Sequence, residues 1–242
     1  MRTCTTAAIF ALVLGLPALA SATPFTATYT FTGSPGNQVS EPIDSQPLGA
    51  SFADITRGPG VTAFAGANSI NSVAWTTGST IDPNDYYQFV VTPQPDFAVD
   101  LTQLDFSERR SAQGILTFDI RSSLDAYATS LFMVTLPDDT LTRRFTVPLG
   151  AAFDDLTTPV TFRLFGYGSQ SGSGTWRLGV APSPDNPSGF PANFQVFGDA
   201  RVVPEPTSLT MLSLAFAVSG VRRWRTRKSC GHIDRLRRAH TC

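Results

Sequence analysis

From Phe25 the chain alternates. Phe25, Ala27, Tyr29 and Phe31 fall on one side of an extended segment, and Thr26, Thr28, Thr30 and Thr32 fall on the other. A period of two with one apolar face marks a half-buried strand, because a helix would scatter both sets around its axis. Comparable short segments follow at 48–53, 61–64, 72–76, 86–92, 101–107, 115–121, 131–136, 143–149, 160–165, 175–180 and 194–203. In four of them one apolar face is plain: Tyr87, Phe89 and Val91; Leu116, Phe118 and Ile120; Val160, Phe162 and Leu164; Trp176, Leu178 and Val180. Turn clusters such as Gly58-Pro59-Gly60, Asp82-Pro83-Asn84-Asp85 and Pro137-Asp138-Asp139 separate them. No amphipathic segment long enough for a crossover helix lies between them, which disfavours a parallel sheet. The pattern predicts an all-β fold, an antiparallel two-sheet sandwich of jelly-roll type. Residues 124–129 and the pair Asp154-Asp155 read as single helical turns, 33–47 as a polar loop, and 182–191 as an inserted loop before the last strand.

Charge divides the chain. Between Thr23 and Glu205 there are nine arginines, no lysine and eighteen carboxylates, a net charge of −9, whereas the segment from Thr207 carries seven arginines and Lys228 against Asp234 alone. An acidic body without lysine is a poor partner for nucleic acid, whose phosphates need clustered cations. Cysteine follows the same division: Cys4, Cys230 and Cys242 all lie outside the body. The body therefore depends on its core rather than on disulfides, which about 180 residues can supply.

The two ends differ from the middle. Residues 1–22 combine Arg2, an apolar run and the small residues Ala20-Ser21-Ala22, the layout of a secretory signal peptide. Cleavage is expected between Ala22 and Thr23, with Ala20 as the alternative site. At the other end, Pro204-Glu205-Pro206 breaks both sheet and helix, and 209–221 forms an apolar run. Arg222, Arg223, Arg225, Arg227 and Lys228 follow as a basic stop. Thirteen residues make a helix of about 20 Å, short of the roughly 30 Å hydrocarbon core, so the span is marginal and suits temporary retention.

Pro204-Glu205-Pro206-Thr207-Ser208-Leu209, the short apolar run and the basic stop together resemble a PEP-CTERM sorting signal across residues 203–228. The resemblance implies export by the Sec machinery through the inner membrane and transient retention there. It also implies processing near Pro204-Glu205-Pro206 by an exosortase, and delivery to the cell surface or extracellular polysaccharide matrix. The segment 229–242 departs from the pattern, since such signals usually stop soon after the basic cluster. The stretches Tyr86-Tyr87-Gln88-Phe89, Phe118-Asp119-Ile120-Arg121, 162–168 and 174–178 resemble the ectodomain that often precedes such tails, taken to be a jelly roll of no established activity. Gly179 stands where the related pattern continues with an acidic residue. The domain reading is then 1–22 signal peptide, 23–202 sandwich, 203–228 sorting signal and 229–242 atypical basic tail.

Catalytic chemistry has few candidates. His232 and His240 lie beyond the sorting signal, so the body has neither histidine nor cysteine for a serine triad, a thiol nucleophile or a zinc hydrolase site. Cys230-Gly231-His232 and His240-Thr241-Cys242 match no zinc module by spacing. Two-carboxylate glycoside chemistry needs only a spaced acid pair. Glu41 and Glu108 are the body glutamates ahead of the sorting motif, and Glu108, beside Arg109 and Arg110, reads as half of a surface salt bridge.

Binding chemistry has more. Asp82, Asn84 and Asp85 place oxygens in one turn, as a structural calcium requires, although Asp and Asn also occupy turns for backbone reasons. Arg121, Arg163 and Arg177 fall at outward positions of strands whose neighbours include Tyr127, Phe165, Tyr167 and Trp176, and arginines beside aromatic rings suit a polysaccharide. The competing reading, favoured on pattern, makes Phe165 and Tyr167 part of a second packed face. The sequence is thus read as an exported, non-catalytic sandwich for adhesion or polysaccharide binding. The alternatives are a secreted carbohydrate-active hydrolase and a structural matrix component without a defined ligand.

Overall fold

The computed structural model describes residues 21–180 and 188–203. The sorting residues Pro204, Glu205 and Pro206, the basic stop, the apolar run at 209–221 and nearly all of the signal segment lie outside the described residues. Ala22 and Thr23 are described and exposed, and Thr23 opens the first strand. Among the described residues no helix is long and apolar enough to cross a membrane.

The described residues form fifteen strands: β1 (Thr23–Thr30), β2 (Pro35–Gly36), β3 (Ser40–Glu41), β4 (Ala50–Phe52), β5 (Ile55–Arg57), β6 (Thr62–Ala63), β7 (Ser69–Val73), β8 (Tyr86–Pro93), β9 (Phe97–Arg110), β10 (Thr117–Ser122), β11 (Phe132–Thr135), β12 (Arg143–Pro148), β13 (Val160–Tyr167), β14 (Trp176–Leu178) and β15 (Asn193–Val202). Two 3-10 turns, Ser123–Asp125 and Ala151–Phe153, stand close to the two helical turns expected from sequence. One sheet runs β1-β15-β9-β14-β7-β2, with β12 on β9 and β6 on β7. The other runs β11-β10-β13-β8-β5-β3, with β4 on β8. Every pairing is antiparallel except β2 with β7. The all-β, two-sheet expectation holds.

Alternation explains which side chains meet between the sheets. Tyr87, Phe89, Val91, Phe118, Ile120, Phe162 and Leu164 point inward from one sheet, and Tyr29, Leu104, Phe106, Trp176, Leu178, Phe194 and Val196 from the other. Rings cross the gap: Phe118 stacks on Trp176 at 5.4 Å between centroids, and Phe89 meets Phe194 edge-on at 5.1 Å. A buried aromatic pair is worth about 1 kcal/mol beyond its area, so this ring network fixes how one sheet sits on the other. Gly166 on β13 makes room for it, since a Cβ there would lie 2.9 Å from the Trp75 ring and 3.1 Å from that of Trp176.

Three expectations need correction. The strand expected at 72–76 is β7, three residues earlier, because Ala74 takes φ 65° and its N–H donates to the Gly172 carbonyl at 2.9 Å. That left-handed residue turns Trp75 out of the sheet and into the core against Tyr87 and Trp176. The loop at 33–47 contains β2 and β3, too short to show a period. Third, β9 does not stop at Ser107: it carries Glu108 and Arg110 on inward into the core, both without exposed surface.

Candidate functional site

The outer face of the seven-stranded sheet collects four of the five arginine and aromatic candidates. Registers place Arg121 opposite Arg163 and Arg163 opposite Gln88 in one row, with Asp119, Phe165 and Tyr86 in the next. Tyr167 follows in the row beyond, opposite Thr117. Arg177 belongs to the other sheet, on β14 opposite Asn71 and Arg109, under the Gly66 loop. It takes no part in this face.

A short loop covers part of the face. After the turn Ser123–Asp125, Ala126 and Tyr127 adopt φ 57° and 63°, two consecutive left-handed residues without a glycine. Such backbone costs about 1–2 kcal/mol per residue and persists where surrounding contacts hold it. Here the Tyr127 and Ala128 carbonyls accept from Arg121 Nη1 at 3.0 and 3.1 Å, and the Asp125 carboxylate accepts from the Ala128 and Thr129 N–H groups. The loop thereby sets the Tyr127 ring over the sheet.

Arg163 packs against that ring. Its guanidinium carbon is 4.3 Å from the Tyr127 centroid and 4.1 Å from that of Tyr86, and Nε donates to Gln88 Oε1 at 3.3 Å. Arg121 is used differently, through Nε and Nη2 on Asp119 Oδ2 at 2.9 and 2.8 Å. Asp119 is buried, and its Oδ1 has no protein donor. Phe165 packs edge-on against Tyr86 at 5.7 Å and Tyr127 at 6.3 Å and is 3% exposed. Tyr167 is 9% exposed and its hydroxyl meets Met133 Sδ at 3.3 Å. Burial, then the Asp119 charge, raises the Tyr167 hydroxyl above its usual pKa. Phe165 and Tyr167 are therefore packed rather than presented, as the competing sequence reading held. On this face Arg163, Arg121, Tyr127 and Gln88 are half-buried and Met133 is exposed.

A second polar cluster lies inside the sandwich and was misread from sequence. Glu108 is no surface salt bridge: it points into the core, where Oε2 accepts from Trp176 Nε1–H at 2.9 Å and Oε1 has no hydrogen bond. Arg143 Nη1 stands 3.7 Å from Oε1. Burial pushes the Glu108 carboxyl up to about 7, against the opposing pull of Trp176, Arg143 and Arg110. A strap at 137–142 closes this end, with Arg110 on Asp138 at 2.7 Å, Arg109 Nε on the Thr140 carbonyl at 2.8 Å, and Arg143 on Asp139. Sequence shows only a glutamate beside two arginines here; β9 continuing past Ser107 was the missing signal.

The calcium candidates serve the backbone. Asp82 Oδ1 accepts from the Asn84 N–H at 2.8 Å, and Asp85 Oδ2 from the Thr76 N–H at 2.6 Å. Burial raises the Asp85 carboxyl and the Thr76 N–H partly offsets it. No group of three or more histidine, cysteine or acidic side chains converges as a metal site among the described residues. Gly179, where the related pattern has an acid, has φ 73°, and a Cβ there would collide with the Phe31 ring. An acidic side chain has no room in that position.

No protein-family model and no curated protein matches this chain. Solved structures similar to it include a family 29 carbohydrate-binding module (10% identity, TM-score 0.34, covering 71% of this chain and 89% of that one). A mutant of such a module complexed with mannohexaose is similar at 11% identity and TM-score 0.34, over 73% of this chain and 92% of that one. The K1 cleaved adhesin domain of Lys-gingipain from Porphyromonas gingivalis W83 is similar at 13% identity and TM-score 0.30, over 75% and 99%.

Proposed function

We propose that this chain is an exported, non-catalytic sandwich of jelly-roll type that binds extracellular polysaccharide at the bacterial surface or in its matrix. The observation that carries the reading is Arg163 lying over Tyr86 and Tyr127 on a strand face open to solvent at one side. The half-buried Tyr127 ring beside a guanidinium offers a sugar both an apolar edge and directed donors, while the buried Tyr86 supports the guanidinium from the sheet. A hydrolase would need two accessible carboxylates. Glu108, the glutamate whose carboxyl is raised to about 7, is sealed, and the groups acting on it include no second acid. The test is glycan binding by the purified protein together with an assay for new reducing ends. Binding without release supports the proposal, release overturns it, and failure with every glycan leaves a structural matrix component.

Delivery is proposed on the sequence pattern at 203–228: Sec export, transient hold in the inner membrane, and processing by an exosortase at Pro204-Glu205-Pro206. Glu205→Ala, or deletion of 207–242, is expected to change the mass or location of the mature protein in its native host. Unchanged processing in both variants removes this part of the reading.

A further inference from the structure

Among the described residues, Arg57, Arg110, Arg121, Arg143, Arg144 and Arg201 each commit at least one terminal Nη nitrogen to a protein oxygen. Arg163 commits only Nε, to Gln88. Among the described residues its two terminal nitrogens have no protein acceptor, and they are not among the sealed polar atoms, so they reach solvent. The guanidinium is nonetheless held in place, over two rings and by one hydrogen bond. An arginine at a bare surface keeps most of its rotamer freedom and gives it up on binding; this one has already done so.

We infer that Arg163 is a preset fork for a carboxylate, and that the polysaccharide bound at this face is one that bears carboxylates, such as a polyuronate. This rests on the proposed glycan-binding role and gives it a ligand class. Two parallel N–H groups match the two oxygens of a carboxylate, and a charge-assisted pair of this kind is roughly twice as strong as neutral hydrogen bonds. The neighbouring charges do not compete for the fork. Asp119 is bonded to Arg121, which keeps Arg121 from repelling its cross-strand neighbour, and Asp125 accepts from its own turn. The net −9 of the body opposes an acidic glycan at long range. That opposition fades beyond the Debye length of about 8 Å at physiological salt, whereas the fork acts at contact.

The experiment uses full-length protein in affinity electrophoresis through gels containing polygalacturonate, neutral dextran or sulfated dextran, at physiological salt. Polygalacturonate is expected to retard the protein strongly and dextran hardly at all. Arg163→Gln is expected to weaken the polygalacturonate interaction at least tenfold. Arg163→Lys, which keeps the charge and the stem but lacks the fork, should recover only part of it, and it serves as the test should the glutamine variant not fold. Equal retardation by dextran, unaffected by Arg163→Gln, overturns the carboxylate fork while leaving glycan binding intact. Retardation by sulfated dextran equal to that by polygalacturonate also overturns it, since the site would then read charge and not carboxylate geometry. No retardation by any glycan overturns both readings.

Discussion

At one end of the sandwich Glu108 sits among Trp176, Arg143 and Arg110 with no exposed surface, while on the outer face of the seven-stranded sheet the half-buried Arg163 lies against Tyr86 and Tyr127 with its terminal nitrogens within reach of solvent. Each is an ionisable side chain set against an aromatic ring. The strap at 137–142 shuts solvent from Glu108, so its environment changes its proton affinity and offers nothing to a ligand. The loop at 123–129 covers only part of Arg163, so the rings orient a charge that can still be reached. A perturbed acid is often taken as a sign of a working site. Here the arginine is the better candidate, because accessibility separates the two.

Experiments can break that contrast. The largest effect is expected at the sealed end: Trp176→Ala removes a ring packed on Trp75, Tyr87 and Phe118 and deprives Glu108 of its donor. A loss of about 3–5 kcal/mol in denaturant unfolding is expected. A loss below about 1 kcal/mol would mean that this end is not part of the core.

Next comes pH. The folded Glu108 carboxyl titrates near 7 and an ordinary one near 4.5. Between these values the unfolded chain loses its proton while the folded one keeps it, so stability is fully present below 4.5 and falls as pH rises to about 7. The fall is on the order of 3 kcal/mol. Glu108→Gln should flatten this window. Asp138 and Asp139, both held below the usual carboxylate range by hydrogen bonds, act at lower pH and in the opposite sense. Arg163→Gln should leave the pH profile unchanged; a change in slope there would couple the two regions that the structure keeps apart.

The smallest effect tests the loop over Arg163. Ala126 holds φ 57°, which glycine adopts without strain. Relief of about 1 kcal/mol set against the extra backbone entropy of glycine leaves Ala126→Gly slightly stabilised or neutral, with a melting temperature at or just above that of the parent. A clear drop would show that the Ala126 side chain itself supports the Tyr127 ring.

Much of the scaffold was legible residue by residue. The faces Tyr87-Phe89-Val91, Val160-Phe162-Leu164 and Trp176-Leu178-Val180 are buried as alternation predicts, because a strand has only two sides and one of them must meet the core. What alternation cannot reveal is what covers the other side. Tyr127 reaches Arg163 through two left-handed residues that no propensity favours, and Phe165 and Tyr167 are packed by that loop and by neighbours several strands away in sequence.

By itself, then, the sequence determined an all-β body, its apolar faces, its acidity and its lack of histidine and cysteine, all of which follow from residue type and local period. Only the tertiary structure decided that Glu108 is sealed, that Arg121 and Arg163 share a face from which Arg177 is absent, and that Arg163 alone of that pair keeps its fork in solvent. These are matters of register and loop path. They depend on pairings between distant segments, where a shift of one residue would turn every one of these side chains to the opposite face.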